Sequence, residues 1–511
     1  MQSRLTMTMR NAFWSYFSMI VSLVIQFVSH TVFVYSLGER YLGVNGLFAN
    51  ILGILSFTEL GIGTAINFSL YKPVANGDKE KIKAYMHYYK WAYRIIALII
   101  TVIGLALFPF LDVLVKDPGD IGDIRVYFLL FLFNTVTSYF VSYKFSLVNA
   151  EQKNYIYTNI NLIMNFTKVI AQIIALLLFS NYLVYLLIGT FVGLVQKIFV
   201  SLYFNKLYPY LKEKNVEKLD KESKKTLVDK IKALFVHKVG DVCVHQTDNI
   251  IVSSFISIKM VGLISNYNLL INTVSSYINV LFTSVTGSLG NLVATESKEH
   301  QYSVFCTYRF IAFWFYGFTA IALLTLSTPF ITLWLGKEMV VDEIVITLII
   351  INYYMIGHRI CLNNIKSAGG VFERDKYVAL VQAVVNLVFS IGLVYVIGVA
   401  GVYVGTIIQG LVSTIIKPIV SYKPLFGISS KYYFIDAVKY AVVVVVAGAL
   451  CMLLRYVIMP EVTILRFIAI AFIVVVIPNA LFWLCFRKRA EYQYVKGVIV
   501  NKLFKRRKAK A

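Results

Sequence analysis

Long apolar runs alternate with short polar breaks along the whole chain, and most runs have the length of about 20 residues that a helix needs to cross a bilayer. They predict helices at 11–37, 42–70, 85–110, 123–148, 156–179 and 182–204. After a polar stretch come 233–256, 260–291, 308–335, 341–365, 376–398, 400–422, 434–458 and 464–486, which makes fourteen spans. The second span closes with FTELGIGTAINFSLYKP, 57–73, where Lys72-Pro73 marks its exit from the membrane.

Polar residues inside these runs fall in stripes. On span 1, Ser18, Ser22, Gln26 and Ser29 share one helical face. On span 2, Asn45, Ser56, Glu59, Gly63 and Asn67 fall within an arc of about 80°. Span 8 carries Asn268, Asn272, Ser275, Asn279, Thr283 and Thr286 in the same way. Span 5 aligns Asn161, Asn165, Lys168 and Gln172, and span 10 aligns Asn352, Arg359, Asn363 and Lys366. A polar side chain in hydrocarbon is costly unless it faces protein or water. Spans 1, 2, 5, 7, 8 and 10 are therefore expected to surround a wet cavity, with interhelical hydrogen bonding in a packed bundle as the open alternative.

Charge sets the orientation. Most of the 49 Lys and Arg fall on one side of this arrangement, and both termini lie on that side. By the positive-inside rule it is the cytoplasm. Arg4 and Arg10 precede a first run too long for a signal-peptide core, so span 1 is expected to be retained. The terminal KLFKRRKAK reads as a tail touching anionic lipid, not as a nucleic-acid arm. Composition agrees with the pattern: 59% hydrophobic residues, 15% charged and a mean hydropathy of +0.72 exclude a soluble domain.

A weak internal repeat organises the spans, at an offset of 219 residues, as in Leu37 against Ile256. Gly43 meets Gly262 without a gap, and Ser18, Ser22, Gln26 and Ser29 meet His237, Asp241, His245 and Asp248. The expected architecture is all-α and polytopic, two six-helix lobes in parallel repeat plus two C-terminal helices. The divisions are 1–204 for the first lobe, 205–232 for a Lys-rich linker and 233–422 for the second lobe, followed by 423–486 for the last helix pair and 487–511 for the basic tail.

Ionisable residues differ in depth. Lys144, Lys197 and Lys238 lie close enough to a cytoplasmic end to snorkel. Lys168 lies roughly 18 Å from the nearer end of its span and cannot easily do so. Glu59, His245 and Asp248 are also deep, while Asp241 and Arg359 are nearer the cytoplasm. The run HKVGDVCVHQTD, 237–248, has metal-ligand residue types at helical spacing, but it continues a lumen stripe, so no fixed metal site is expected. Cys243, Cys306, Cys361, Cys451 and Cys485 have no CxxC spacing and read as packing residues. His358 also reads as packing. GxxxG at Gly189/Gly193 and Gly401/Gly405 predicts close helix approach.

LGERYLGVNGLFANILGILSFTELGIGTAINFSLYKPVANGDKEKI, 37–82, resembles the signature of polysaccharide-biosynthesis membrane proteins. These are flippases for undecaprenyl-pyrophosphate-linked oligosaccharides in the multidrug/oligosaccharidyl-lipid/polysaccharide (MOP) exporter superfamily. QTDNIIVSSFISIKMVGLISNYNLLI, 246–271, and 369–408 resemble the second-lobe segments. The resemblance implies two lobes forming a V, alternating access, and residence in the bacterial cytoplasmic membrane. It also implies a lipid-linked oligosaccharide as substrate, and glycan polymerase and glycosyltransferases as partners.

On that reading Lys168, Arg359, Lys238 and Lys144 would meet the diphosphate. The stripe Gln26, Asn45, Asn67, Asn161, Asn165, Gln172, Asn268, Asn272, Asn279, Asn352 and Asn363 would meet sugar hydroxyls. Glu59, Asp241, His245 and Asp248 would couple or gate. No cofactor is expected beyond a coupling cation, Na+ or H+. A lipid II flippase or a multidrug exporter of the same superfamily are the rival readings. No Walker loop or catalytic triad is present, which argues against an enzyme.

Overall fold

The computed structural model describes residues 4–56, 62–213, 216–217, 219–229, 231, 246–369 and 377–498. Glu59, Lys238, Asp241 and His245 lie outside the described residues. Everything described is helix or connection, and the chain divides into two compact units, Met1–Gly262 and Leu263–Ala511.

The first unit contains α1 (Arg4–Leu37), α2 (Glu39–Leu55), α3 (Ile62–Asn76), α4 (Lys79–Leu107), the short α5 (Leu111–Leu114) and α6 (Ile124–Ser142). It continues through α7 (Phe145–Ala150), α8 (Asn154–Phe179), α9 (Tyr182–Leu207) and α10 (Asp248–Phe255). Side-chain caps set several starts. Asp78 accepts from the Lys81 N–H at 3.0 Å ahead of α4, and Asn181 accepts from the Val184 N–H at 3.1 Å ahead of α9. α3 does not stop at Lys72-Pro73, as the sequence led one to expect, but runs through Pro73 to Asn76. Gly77, at φ 69°, turns the chain there instead, while the Asp78 N–H donates to the Pro73 carbonyl at 3.0 Å.

α10 falls in the stretch that sequence divided into the second lobe, and it packs on α2 of the first unit. An amide cluster joins them. Asn50 donates to Gln246 Oε1 at 2.8 Å, and Asn249 donates to Asn50 Oδ1 at 3.0 Å. The repeat-aligned glycines Gly43 and Gly262 also face each other. A Cβ on Gly43 would collide with the Ile258 carbonyl, and one on Gly262 would collide with the Glu39 carbonyl. The reciprocity of these contacts gives the weak sequence repeat a physical counterpart, because only glycine admits this approach at both positions.

α11 (Ile258–Thr283) leads into the second unit, which contains α12 (Thr286–Thr295), α13 (Lys298–Leu335), α14 (Glu343–Ala368) and α15 (Val378–Ile397). α16 (Val399–Phe426), α17 (Lys431–Ile458) and α18 (Ile464–Phe486) complete it. α15 and α16 are in intimate contact. A Cβ on Gly405 would lie 2.5 Å from the Ser390 nitrogen, and one on Gly401 would collide with the Leu393 carbonyl. α17 and α18 dock on α13 through one apolar cluster. In it Phe313 stacks on Tyr440 at 4.3 Å between centroids, with Phe482, Val444 and Ile470 packed around them.

Twelve helices among the described residues are long and apolar enough to cross a membrane. The remaining two expected spans, 42–70 and 233–256, each contain residues outside the described set. Two spans are interrupted where the sequence ran them through. Span 4 breaks at Tyr143-Lys144 and span 8 at Ser284-Val285.

Candidate functional site

In the first unit, the α1 stripe without Ser18 lines a cavity of about 380 Å³. Ser22, Gln26, Ser29 and His30 of α1 face Asn45 of α2, Asn165 of α8 and Tyr185 of α9 across it. Positions 22, 26, 29 and 30 share a face because successive steps of three and four residues return to one side of a helix. Asn45 accepts from the Tyr182 hydroxyl at 2.9 Å, which fixes its amide at the rim.

The rest of the α8 stripe turns toward α9. Gln172 is buried and donates to the Tyr185 carbonyl at 3.1 Å, in space that Gly189 leaves free. Asn161 accepts from Gln196 at 2.8 Å. Between them Lys168 stands partly buried, about 16 Å from the nearer helix end. Its ammonium has no ion pair or hydrogen bond among the described residues. Asn67 Oδ1 on α3 is buried without a hydrogen-bond partner among the described residues.

A second cavity, of about 600 Å³, opens at the Lys-rich end of the same unit. Lys83, His87, Lys90 and Arg94 of α4, Lys144, and Lys212 beyond α9 line it. Lys83 is neutralised by Glu80 and Glu213, each at 2.6 Å. Lys144, in the turn beyond the end of α6, is buried and donates to Ser201 Oγ at 2.9 Å and Asn205 Oδ1 at 3.0 Å. Burial, then the charges of Lys90 and Lys212, push its ammonium down to about 8. Lys197 donates to Thr137 Oγ1 at 2.6 Å and to the Asn134 carbonyl at 3.0 Å, so it is spent on helix packing.

In the second unit some of the expected stripe residues are tied individually and others are not. Asn279 accepts from the Tyr316 hydroxyl at 2.7 Å, and Asn363 accepts weakly from Lys417 at 3.5 Å. Asn352 Oδ1 is buried without a partner among the described residues, Asn268 is partly buried and Asn272 is exposed. Arg359 is 7% exposed and donates to the Gly410 carbonyl at 2.8 Å.

Sequence reasoning missed Arg309. It is 3% exposed, donates to the Tyr433 carbonyl at 2.8 Å, approaches His358 Nε2 at 2.9 Å and lies 3.8 Å over the Tyr433 ring. The sequence started this span at 308, whereas α13 begins at Lys298 under a Ser297 cap. Ser297 ahead of KEHQYSV was the signal that would have placed Arg309 three turns inside the helix. Asp248 opens α10 and is partly buried. No cluster of His, Cys, Asp and Glu suited to a metal occurs among the described residues.

Several solved membrane transporters share this fold. The lipid II flippase MurJ in an inward closed conformation superposes with a TM-score of 0.63 at 13% identity, covering 93% of this chain and 98% of its own. An inward-facing multidrug resistance MATE family transporter of the MOP superfamily gives 0.59 at 14% identity, over 77% of this chain and 92% of its own. The Vibrio cholerae MATE transporter VcmN gives 0.55 at 14% identity, over 84% and 99%. Among curated proteins no sequence match is found.

The all-helical spans, the internal repeat and these likenesses define a polytopic membrane protein with the fold of the MOP superfamily. The model of the polysaccharide biosynthesis protein family matches residues 8–286, more than half of the sequence. The chain belongs to that family.

Proposed function

We propose that this protein is a flippase that moves an undecaprenyl-pyrophosphate-linked oligosaccharide across the cytoplasmic membrane by alternating access, for assembly of a surface polysaccharide. Lys168 is the observation that carries the reading. A mid-membrane ammonium with no protein partner among the described residues is expensive, at least about 3 kcal/mol, unless something anionic visits it. A lipid-linked sugar diphosphate brings that anion while its polyprenyl tail stays in lipid. The neighbouring cavity of Gln26, Ser29, Asn45 and Asn165 offers amides and hydroxyls of the kind that sugar hydroxyls bond.

An organic cation, the cargo of a multidrug exporter, would be repelled by the same ammonium. A lipid II cargo would satisfy Lys168 equally well, so family membership, not the cation, favours the oligosaccharide. Na+ or H+ coupling through Glu59, Asp241, His245 and Asp248 belongs to the same proposal, as does glycan polymerase as a partner.

In cells lacking the chromosomal copy, Lys168→Ala is expected to abolish surface-glycan export at normal membrane abundance, and Lys168→Arg to restore part of it. Normal export by Lys168→Ala would remove the diphosphate assignment.

A further inference from the structure

The basic cavity of the first unit and a separate apolar groove lie along the same helix pair. On α4, Lys83, His87, Lys90 and Arg94 lead by steps of three and four residues through Leu98 to Thr101 and Leu105. On α6, Phe140 of the cavity continues the face that carries Val126, Leu129, Phe133 and Val136, with Tyr143 in the turn just beyond the helix. Those last residues, with Thr101 and Leu105, line a groove of about 420 Å³. A polar cavity at the helix ends thus lies in line with an apolar groove within the span. The two lining sets are separated along α4 by roughly 10 Å, from Arg94 to Thr101.

Lys83 and Lys144 are engaged within the fold, but the two exposed cations of the cavity wall on α4 are not. Glu213 is the one carboxylate in its lining among the described residues, and it is engaged with Lys83. Lys90 and Arg94 are exposed and make no ion pair or hydrogen bond among the described residues. Basic pockets between helices at the membrane surface favour phosphate headgroups. The volume of about 600 Å³ accommodates a glycerophosphate headgroup.

We propose that the α4–α6 seam is a binding site for an anionic phospholipid, its phosphate headgroup in the basic cavity and one acyl chain in the apolar groove. Lys144, which the sequence assigned to the cargo diphosphate, lines this cavity and is reassigned to the phospholipid headgroup. Lys90, Arg94 and Leu129 belong to no stripe assigned to the translocated substrate. A bound headgroup would draw α4, the end of α6, α9 and residues 211–213 together.

The test uses the full chain, delipidated in detergent and followed by native mass spectrometry and thermal unfolding. Dioleoyl phosphatidylglycerol is expected to bind and stabilise, and dioleoyl phosphatidylcholine to do neither. Lys90→Gln with Arg94→Gln should weaken phosphatidylglycerol binding about thirtyfold, two surface cations being removed. Lys221→Gln with Lys224→Gln, outside the cavity, should bind as the parent does. Leu129→Gln should weaken the lipid but leave inorganic phosphate binding unchanged. Equal binding of the two phospholipids, or undiminished phosphatidylglycerol binding by the Lys90/Arg94 variant, would overturn the proposal. So would preferential occupancy by undecaprenyl diphosphate, or displacement of the lipid by inorganic phosphate at equal concentration.

Discussion

The cations of the two units differ in what surrounds them. In the first unit Lys90 and Arg94 face a cavity, and Lys168 sits mid-helix beside a polar cavity without a protein partner among the described residues. In the second unit Arg359 and Arg309 are almost fully buried, and each donates to a main-chain carbonyl at 2.8 Å. A buried guanidinium that donates to a main-chain carbonyl, as both do, and lies over an aromatic face, as Arg309 does, contributes to packing, although Arg309 Nε has no hydrogen-bond partner among the described residues. An ammonium left unsatisfied within a membrane is available to a ligand. Residues that look alike as charges in the sequence therefore divide into those bonded within the fold and those left open to a ligand.

Lys168→Ala against Arg359→Ala breaks the comparison most strongly if it is wrong. The first should abolish export with normal abundance. The second should lower membrane abundance and the thermal midpoint, by about 2 kcal/mol for a lost charge-assisted hydrogen bond. Stable but export-dead Arg359→Ala would move it into the cargo class.

Next in size, Gly405→Leu should lower abundance by about 2 kcal/mol of overpacking, since its side chain would meet the Ser390 backbone. Gln26→Ala and Asn165→Ala should each slow export several-fold, for about 1 kcal/mol of lost hydrogen bonding, without changing the thermal midpoint. Gly193→Ala should be nearly silent in unfolding measurements, because its Cβ would meet only Asn134 Oδ1 at 3.7 Å.

The spans were legible because apolar length is a direct physical requirement of the bilayer, and the repeat was legible at Gly43 and Gly262 because close backbone approach excludes every side chain. The breaks at Tyr143-Lys144 and Ser284-Val285 were not, since neither contains Pro or Gly and a hydropathy window averages over one turn. Ser22, Gln26 and Ser29 of the α1 stripe share one cavity with Asn45 and Asn165, whereas Ser18 is not in its lining and Tyr185 of α9, on a span outside the expected ring, is. Gln172 and Asn161 share their helix face with Asn165 yet bond to α9, because periodicity names a face and not the neighbour opposite it. Arg309 escaped notice because its span was started ten residues late.

The most direct measurement is the chemical identity of the lipid-linked species that builds up on the inner leaflet when the protein is removed. The account predicts an undecaprenyl-pyrophosphate-linked oligosaccharide, cleared by the parent chain and not by Lys168→Ala. Accumulation of lipid II, or of no lipid-linked sugar at all, would contradict it.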